Sequence, residues 1–418
     1  NCTTLSNGLR VVTDRVDSVD SVAVGIWATV GARHEDMANN GAAHMVEHMM
    51  FKGTPTRDAR QLAEIVDDVG GHMNAFTSRE MTAYFMHLLK NDLDLALDVL
   101  SDIIQRATLP EDEIERERGV ILSEIGLSQD TPDDMIFDEW QVAAFPGQTL
   151  GAPILGRAEN VQNMSRDALV DFIRKHYKAG NLIISAAGAV DHETFVTKVE
   201  KLFHELAEGS GTADEFGTYH GGEYRNEREL EQTHLVLGYE GLPRGDADYD
   251  AARVMSTILG EGMSSRLFQE IREKRGLVYS ISSLHLDYSD TGLFGIYAGT
   301  DPGSVAELMP VLCDETRRIF ADVSETEITR AKAQLRSGFL MGRESMLSRA
   351  HQQAKSLKYF NSTLDVDERL KQIEAIDREQ VIRAARRIFT GSQPTLAAVG
   401  PLQELSSLDE INQRLAAA

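Results

Sequence analysis

Alternating apolar and polar positions near the start of the chain predict two neighbouring antiparallel strands, at residues 8–13 and 21–29, joined by a polar turn. A helical pattern follows from about residue 41 to residue 51. Lys52, Gly53 and Pro55 come directly after it, in the order of cation, glycine and proline that helix ends prefer. We therefore expect a short, well-bounded helix after the first two strands.

The order of elements predicted for the first half of the chain returns in the second half. In each half a helix leads into a pair of strands, long helices follow, and a further strand closes the series. The matching elements are helices at 59–69 and 265–273, and strand pairs at 72–77 with 82–89 and at 278–286 with 292–298. This repetition predicts an α+β fold of two homologous αβ domains, each a mostly antiparallel mixed sheet covered by helices.

The boundary between the two domains is expected where this periodicity disappears. The 418 residues exceed what one hydrophobic core usually serves. From about 207 to 229 the chain is rich in Gly, Ser, Thr and Asp, a composition typical of linkers. We predict a first αβ domain at 1–208, a linker at 209–229 and a second αβ domain at 230–418.

Composition narrows the function classes. With 42% hydrophobic and 26% charged residues the chain resembles an ordinary globular protein. Its formal charge of −24 argues against a nucleic-acid partner and favours basic peptides, although an acidic surface also serves solubility. No apolar run approaches the roughly 20 residues of a membrane helix, and the first residues show no basic region followed by an apolar one, so we expect no secretory signal in this sequence. Cys2 and Cys313 support neither a disulfide framework nor a thiolate site, and this fits a reducing compartment. We therefore expect a cytoplasmic protein, and the lack of a long apolar run predicts no membrane partner.

The helix at 41–51 carries His44, Glu47 and His48 on one face. At 100° per residue the two histidines lie about 40° apart, and Glu47 lies about 60° to the other side of His44. Two imidazoles one turn apart can bind a single Zn²⁺, and the carboxylate between them can take a proton from a zinc-bound water. The spacing is that of the inverted His-x-x-Glu-His motif. The alternative is a histidine pair on the surface of an ordinary amphipathic helix.

A catalytic zinc site usually has three protein ligands, so a third must come from elsewhere in the chain. An acidic helix that opens at Pro110 offers Glu117 and Glu124, which lie about two turns apart and therefore on one face. Helical spacing alone leaves the choice between these two glutamates open.

The run from Gly41 to Thr54, GAAHMVEHMMFKGT, resembles the pitrilysin family of metallopeptidases, which includes insulin-degrading enzyme and mitochondrial processing peptidase. The resemblance implies that the third ligand is Glu124, 76 positions after His48, and that Glu117 assists the reaction from seven residues earlier. It also implies an endopeptidase with one zinc ion per chain, in which Glu47 activates the zinc-bound water.

Residues outside the zinc helix extend this resemblance over nearly the whole chain. The segment from Asn74 to Phe85 is similar to the family's active-site strand, whose exposed edge pairs with the substrate backbone. An arginine and a tyrosine seven residues apart in the second half resemble the family's substrate-holding pair, although outside the family match such a pair is usually structural. The implied substrate contacts are Phe51, Asn74, Ala75, Phe76, Arg272 and Tyr279.

The resemblance also implies an assembly. Relatives of about twice this length close two halves around a chamber, so this chain is expected to form one half of a clamshell. A homodimer would place Arg272 and Tyr279 of one subunit at the zinc of the other, with a heterodimer as the alternative. Two rival functions remain: a non-catalytic partner subunit, and a protein whose zinc is structural, a role that usually needs four protein ligands.

Overall fold

The computed structural model describes residues 1–211 and 215–416. Its strands are β1 (Cys2–Thr4), β2 (Arg10–Arg15), β3 (Ser21–Ala28), β4 (His72–Thr77), β5 (Thr82–Leu89), β6 (Leu182–Gly188), β7 (Gly222–Glu227), β8 (Thr233–Gly241), β9 (Val278–Asp287), β10 (Gly292–Thr300) and β11 (Thr395–Gly400). Its α-helices are α1 (Ala42–Met49), α2 (Ala59–Asp67), α3 (Leu93–Arg106), α4 (Glu111–Gln129), α5 (Pro132–Ala144), α6 (Ala158–Asn163), α7 (Arg166–His176), α8 (His192–Phe203), α9 (Tyr249–Gly260), α10 (Val305–Arg318), α11 (Glu325–Gly342), α12 (Met346–Phe360), α13 (Val366–Ala375), α14 (Arg378–Gly391) and α15 (Leu408–Ala416).

The chain divides into two compact units, and each unit takes segments from both halves of the sequence. The first unit comprises Asn1–Leu127, Ala152–Glu215 and Leu340–Leu364. The second comprises Ser128–Gly151, Phe216–Phe339 and Asp365–Ala418. Helix α12 therefore belongs to the first unit, and α5 belongs to the second.

The first unit is built on a six-stranded sheet in the order β1-β2-β6-β3-β5-β4. Only β2 and β6 run parallel among its neighbouring strands. One face packs against α1, α3 and α8 in a large apolar core. The other face packs against α12, where Ala350 and Ala354 contact Trp27 and Ile183. Strand β4 forms one edge of this sheet.

The second unit repeats this plan with a five-stranded sheet in the order β7-β11-β8-β10-β9. Only β7 and β11 run parallel, which matches the parallel pair of the first unit. One face packs against α9 and α14, and the other packs against α5 through Trp140. The predicted fold of two similar αβ domains with mixed, mostly antiparallel sheets is confirmed.

The prediction that the first two long strands are neighbours is wrong. Strand β6 lies between them, parallel to β2 and antiparallel to β3. The N–H of Val16 donates to the carbonyl of Gly188, and the N–H of Ala189 donates to the carbonyl of Ser21. Val16 and Ser21 lie at the two ends of the segment that joins β2 to β3, so both ends of this segment bond to the end of β6. Every residue of β6 is buried, so this apolar strand takes a central position that local spacing does not reveal.

The stretch predicted as an interdomain linker, 209–229, contains strand β7. Its sequence GEYRNE alternates between half-buried and exposed positions and has little apolar character, because β7 is an edge strand. The chain passes from the first unit to the second after Glu215, inside this stretch. Residues 212–214 of the predicted linker lie outside the described residues, and the predicted domain boundaries stay a prediction. No helix in the described ranges combines the length and apolar character needed to cross a bilayer.

Candidate metal centre

Helix α1 orients its polar residues by burying its opposite face. Met45, Val46 and Met49 are fully buried in the core of the first unit. Because side chains repeat every 3.6 residues, burial of these three fixes the rotation of the helix and directs His44 and His48 to its other side. The helix has only eight residues, so its position depends on its packing and on how its ends are held.

The buried carboxylate of Glu35 holds the start of α1. Gly41 precedes the helix with a φ of 101° and has no side chain to cap it. The N–H groups of Gly41 and Ala43 donate to the two oxygens of Glu35 at 2.9 and 2.7 Å, and Asn40 Nδ2 donates at 3.0 Å. Burial raises the pKa of Glu35 to about 7, although these hydrogen bonds work in the opposite direction. Glu35 thus satisfies N–H groups that would otherwise lack acceptors.

His44, His48 and Glu124 converge between α1 and α4. One ligand atom from each lies within 4.8 Å of the other two. The Nε2 atoms of His44 and His48 lie 3.8 and 4.0 Å from Glu124 Oε2, and the two imidazole centroids are 4.6 Å apart. Across the described part of the chain, no other group of three His, Cys, Asp or Glu side chains comes together in this way.

The protonation and exposure of these groups suit a metal that reacts with incoming molecules. Burial, with a smaller contribution from His48, lowers the pKa of His44 to about 4, so its ring is neutral at pH 7 and can bind a metal. The side chains of His44 and His48 are only 12% and 18% exposed, whereas that of Glu124 is 40% exposed. The centre is therefore open on the Glu124 side.

The three residues fit Zn²⁺. Tetrahedral zinc with bonds of about 2.0–2.2 Å places its ligand atoms about 3.4 Å apart, and the observed separations of 3.8 and 4.0 Å are only slightly wider. Two imidazoles and one carboxylate, with no thiolate, form the donor set of hydrolytic zinc sites and leave one coordination position open.

Glu117 links α4 to α1 next to this centre. Its Oε2 accepts a hydrogen bond from His48 Nδ1 at 2.8 Å, and its Oε1 lies 2.6 Å from Lys52 Nζ. Burial acts to raise the pKa of Glu117, but Lys52 and His48 outweigh it and hold that pKa below its usual range. The ionised carboxylate fixes the His48 ring with Nε2 directed at Glu124, as carboxylates behind metal-binding histidines commonly do.

Glu47 lies beside the centre and accepts a hydrogen bond from an edge-strand residue. Thr77 Oγ1 donates to Glu47 Oε2 at 2.5 Å. Burial raises the pKa of Glu47, while the Thr77 bond opposes this change. A carboxylate with a raised pKa close to a metal site is well suited to accept and return a proton.

The predicted substrate residues of the first unit lie on or near β4. The Phe51 ring packs 6.0 Å from that of Tyr84. Asn74 is exposed, and its side chain accepts from the N–H of Ala75 at 2.8 Å. Phe76 packs against His351 of α12, on the sheet face opposite to α1. Its ring is directed away from the metal residues, so any contact of Phe76 with substrate there would use its main chain.

The predicted arginine and tyrosine belong to the second unit. Arg272 lies in a π-helical segment, Phe268–Glu273, where an α-helix was expected, and its guanidinium stacks 4.8 Å from the Phe268 ring. Tyr279 is 57% exposed, and its hydroxyl donates to Asp301 Oδ2 at 3.1 Å. Both polar groups reach the surface of their unit, as a role in binding would require.

Three contributors to the site were not predicted from the sequence: Glu35, Lys52 and Thr77. Lys52 was interpreted only as a helix terminator, although its position one turn after His48 was a usable signal. Glu35 precedes the helix in an irregular segment, and Thr77 ends a strand. No spacing rule connects either of these two residues to the helix.

Two family models cover most of the chain. Residues 10–158 match the model described as Insulinase (Peptidase family M16), and residues 163–335 match the model described as Peptidase M16 inactive domain. The first match contains the metal centre. The second contains Arg272 and Tyr279 and lacks a counterpart of the His-x-x-Glu-His motif.

Proteins similar over nearly their full length carry related names. An uncharacterized zinc protease of Rickettsia felis is 41% identical over 96% of this chain and 97% of its own. An uncharacterized zinc protease of Bacillus subtilis is 35% identical over 97% of this chain and 99% of its own. A probable mitochondrial-processing peptidase subunit beta of Arabidopsis thaliana is 35% identical over 99% of this chain and 80% of its own.

Solved structures share the fold at lower identity. A protease from Helicobacter pylori is 24% identical with a TM-score of 0.88, over 96% of this chain and 99% of that one. A peptidase M16 inactive domain from Pseudomonas fluorescens is 20% identical with a TM-score of 0.88, over 97% and 98%. Identities this low support the architecture alone.

Two similar αβ domains, one of which carries two histidines and a carboxylate around a common point, define a metallopeptidase. The likeness of the 41–54 segment to that class is confirmed over the whole chain. The chain belongs to peptidase family M16. The roles of its individual residues stay predictions.

Replacing Glu117 with Gln is expected to weaken zinc binding by about 10- to 100-fold, because the His48 ring loses its ionised acceptor. Competition against a chromophoric chelator measures this change. Glu115→Gln removes the same charge from an exposed position of α4 and should leave zinc affinity unchanged. Equal affinities of wild type and Glu117→Gln would show that Glu117 does not orient His48.

Replacing Glu35 with Gln is expected to change how stability depends on pH. The pKa of Glu35 is raised from 4.5 to about 7 in the folded protein, so folding favours the protonated form. Its contribution is fully present below about pH 4.5 and is lost as pH rises through about 7, by about 3 kcal/mol in all. Glutamine does not titrate, so the free energy of unfolding of Glu35→Gln should not fall in this way as pH rises.

Urea unfolding of chelator-treated wild type and Glu35→Gln between pH 4.5 and pH 8 tests this prediction, because removal of metal beforehand excludes pH-dependent metal release. Glu64→Gln, at an exposed position of α2, serves as the control and should follow the wild type. If the free energy of unfolding depended on pH in the same way in Glu35→Gln and in the wild type, the inference that the pKa of Glu35 is raised would be wrong.

Proposed function

We propose that this chain is a zinc-dependent endopeptidase that hydrolyses unfolded peptides or short polypeptides in an enclosed chamber. The observation that carries the proposal is the convergence of His44, His48 and Glu124 on one point with Glu47 beside them. Relatives named zinc proteases support the choice of metal.

His44, His48 and Glu124 would hold one zinc ion per chain. When bound there, Zn²⁺ supplies Lewis-acid chemistry that lowers the pKa of a water molecule and polarises a carbonyl group. Glu47 accepts the proton of the attacking water and returns it to the amine that leaves when the peptide bond breaks. Glu117 keeps the His48 ring oriented through the Nδ1 hydrogen bond.

An extended peptide is the substrate that the edge strand favours. Strand β4 forms one edge of its sheet, so an added strand can pair with its main chain largely independently of side-chain sequence. Such pairing needs an unfolded segment, and the formal charge of −24 would attract basic peptides. Phe51 would contribute to a pocket for the residue that follows the cleaved bond.

The proposed assembly is a homodimer in which Arg272 and Tyr279 of each subunit act on substrate at the zinc of the other. Both residues expose their polar groups in a unit that has no metal motif of its own. In a heterodimer, an inactive relative would supply the equivalent arginine and tyrosine instead. Mixing two variants of this chain distinguishes the homodimer from the heterodimer. Location in the cytoplasm stays a prediction.

Two rival functions are less consistent with these residues. A non-catalytic partner subunit would not need an intact set of His44, Glu47, His48 and Glu124. A structural zinc site usually has four protein ligands, and the described residues bring only three together.

Replacing Glu47 with Gln is expected to slow cleavage strongly without removing zinc. Glutamine keeps the shape of the side chain but cannot accept the proton, and loss of general-base catalysis costs about 10²- to 10⁴-fold in rate. The measurement is metal content by mass spectrometry together with cleavage of an unstructured basic peptide. Glu64→Gln is the matched control and should cleave normally.

Chelation should inactivate the wild type, and added Zn²⁺ should restore it. Wild-type protein that binds zinc stoichiometrically yet cleaves no member of a broad peptide panel would contradict the catalytic proposal. Equal cleavage by wild type and Glu47→Gln would contradict the role of Glu47 alone.

Mixing Glu47→Gln with Tyr279→Phe tests action between subunits. Under free exchange half of the dimers are mixed, and each mixed dimer contains one site with both native residues, so roughly a quarter of wild-type activity should return. If Tyr279 acts within its own chain, the mixture gives only the mean of the two variants. Absence of any dimer by size-exclusion chromatography would favour a heteromeric partner.

A further inference from the structure

Thr77 connects the edge of the first sheet to the residue that we assign as the proton acceptor. It is the last residue of β4, and side chains along this strand alternate between the two sheet faces. Met73 and Ala75 pack into the core on the α1 face, whereas Phe76 packs on the α12 face. Thr77 continues the first series, and its hydroxyl therefore reaches Glu47 on α1.

This hydroxyl is the only hydrogen-bond donor to the Glu47 carboxylate in the described part of the chain. The two buried hydroxyls nearby, Tyr84 and Tyr177, pair with each other at 2.8 Å instead. The bond from Thr77 uses Oε2, and no side chain among the described residues donates a hydrogen bond to Oε1. Glu47 is thus held at one oxygen and available at the other.

We propose that Thr77 is a positioning residue, whose hydroxyl holds the Glu47 carboxylate in place from the edge strand. This inference rests on the proposed function. Because β4 is also the strand on which substrate would pair, one element then fixes both the peptide main chain and the group that takes the proton. A shift of about 1 Å between reacting groups can cost about 100-fold in rate, so loss of the Thr77 hydroxyl should lower the rate of cleavage by a measurable factor.

The informative change is Thr77→Val. Valine keeps the β-branched shape and the strand preference of threonine and removes only the hydroxyl. We expect kcat to fall on the order of 10-fold with KM within about twofold, because substrate pairing uses the main chain of β4. Thr77→Ser, which restores the hydroxyl, should return kcat to within about threefold of wild type.

Thr233 provides a matched control, since it is a fully buried strand threonine in β8 of the second unit. Its hydroxyl donates to the carbonyl of Pro401 at 2.7 Å. Thr233→Val loses a hydroxyl of the same kind outside the proposed site and should keep the wild-type kcat, whatever it costs in stability. Zinc content and thermal unfolding are measured for every variant.

Thr77→Val is also combined with Glu47→Gln, because a residue that acts through Glu47 should have no further effect once Glu47 cannot accept a proton. Equal residual rates of Glu47→Gln and the double variant support the proposal. A further fall in the double variant overturns it, as does a fall in Thr77→Val that coincides with loss of zinc or of folded protein.

The two levels of the proposal fail in different ways. Wild-type protein without zinc-dependent cleavage would refute the proposed function. Active wild type, inactive Glu47→Gln and an unchanged kcat in Thr77→Val would refute the role of Thr77 alone.

Discussion

The metal centre depends on one carboxylate, that of Glu117, which contacts two residues on or just after α1 from its position on α4. His48 and Lys52 are one helical turn apart, so a single side chain can accept from the first with one oxygen and from the second with the other. These two charge-assisted contacts fix α1 and α4 relative to each other, both in rotation about the helix axes and in register along them. Glu124, two turns further along α4, then lies opposite both histidines, so α4 carries the third predicted ligand and also orients the ring of His48.

The parts of the site that follow helical geometry could be predicted from the sequence. His44, Glu47 and His48 lie within two turns of one helix, and their shared face follows from the 3.6-residue repeat alone. Strands β4 and β5 occur at the residues predicted, 72–77 and 82–89, because each is short, apolar and bounded by clear turns. Glu124 was different: helical spacing left two glutamates equally suitable, and the choice came from family resemblance, with which the observed convergence agrees.

Features that depend on distant contacts could not be predicted. The prediction that β2 and β3 pair with each other was wrong, because β6, more than 150 positions later, lies between them. The hydrogen bond from Thr77 joins residues 30 positions apart and follows no periodic pattern. Glu35 shows no sign in the sequence that its carboxylate will cap the zinc helix, because a cap is usually the residue that adjoins the first turn. Pairing order, caps from outside a helix and bonds between elements are tertiary properties.

The exchange of α5 and α12 between the two units affects how the polypeptide can reach its native state. The apolar face that contains Trp27 and Ile183 stays uncovered until α12 arrives, and Arg10 of β2 contacts the carbonyl of Leu357, 347 positions later. A ribosome must therefore complete most of the chain before the first sheet can be closed, and an isolated first half would expose this surface to aggregation. Each half of the duplicated chain supplies one helix to the core of the other unit, so we expect that division at the middle of the gene would leave two fragments that each lack part of their core.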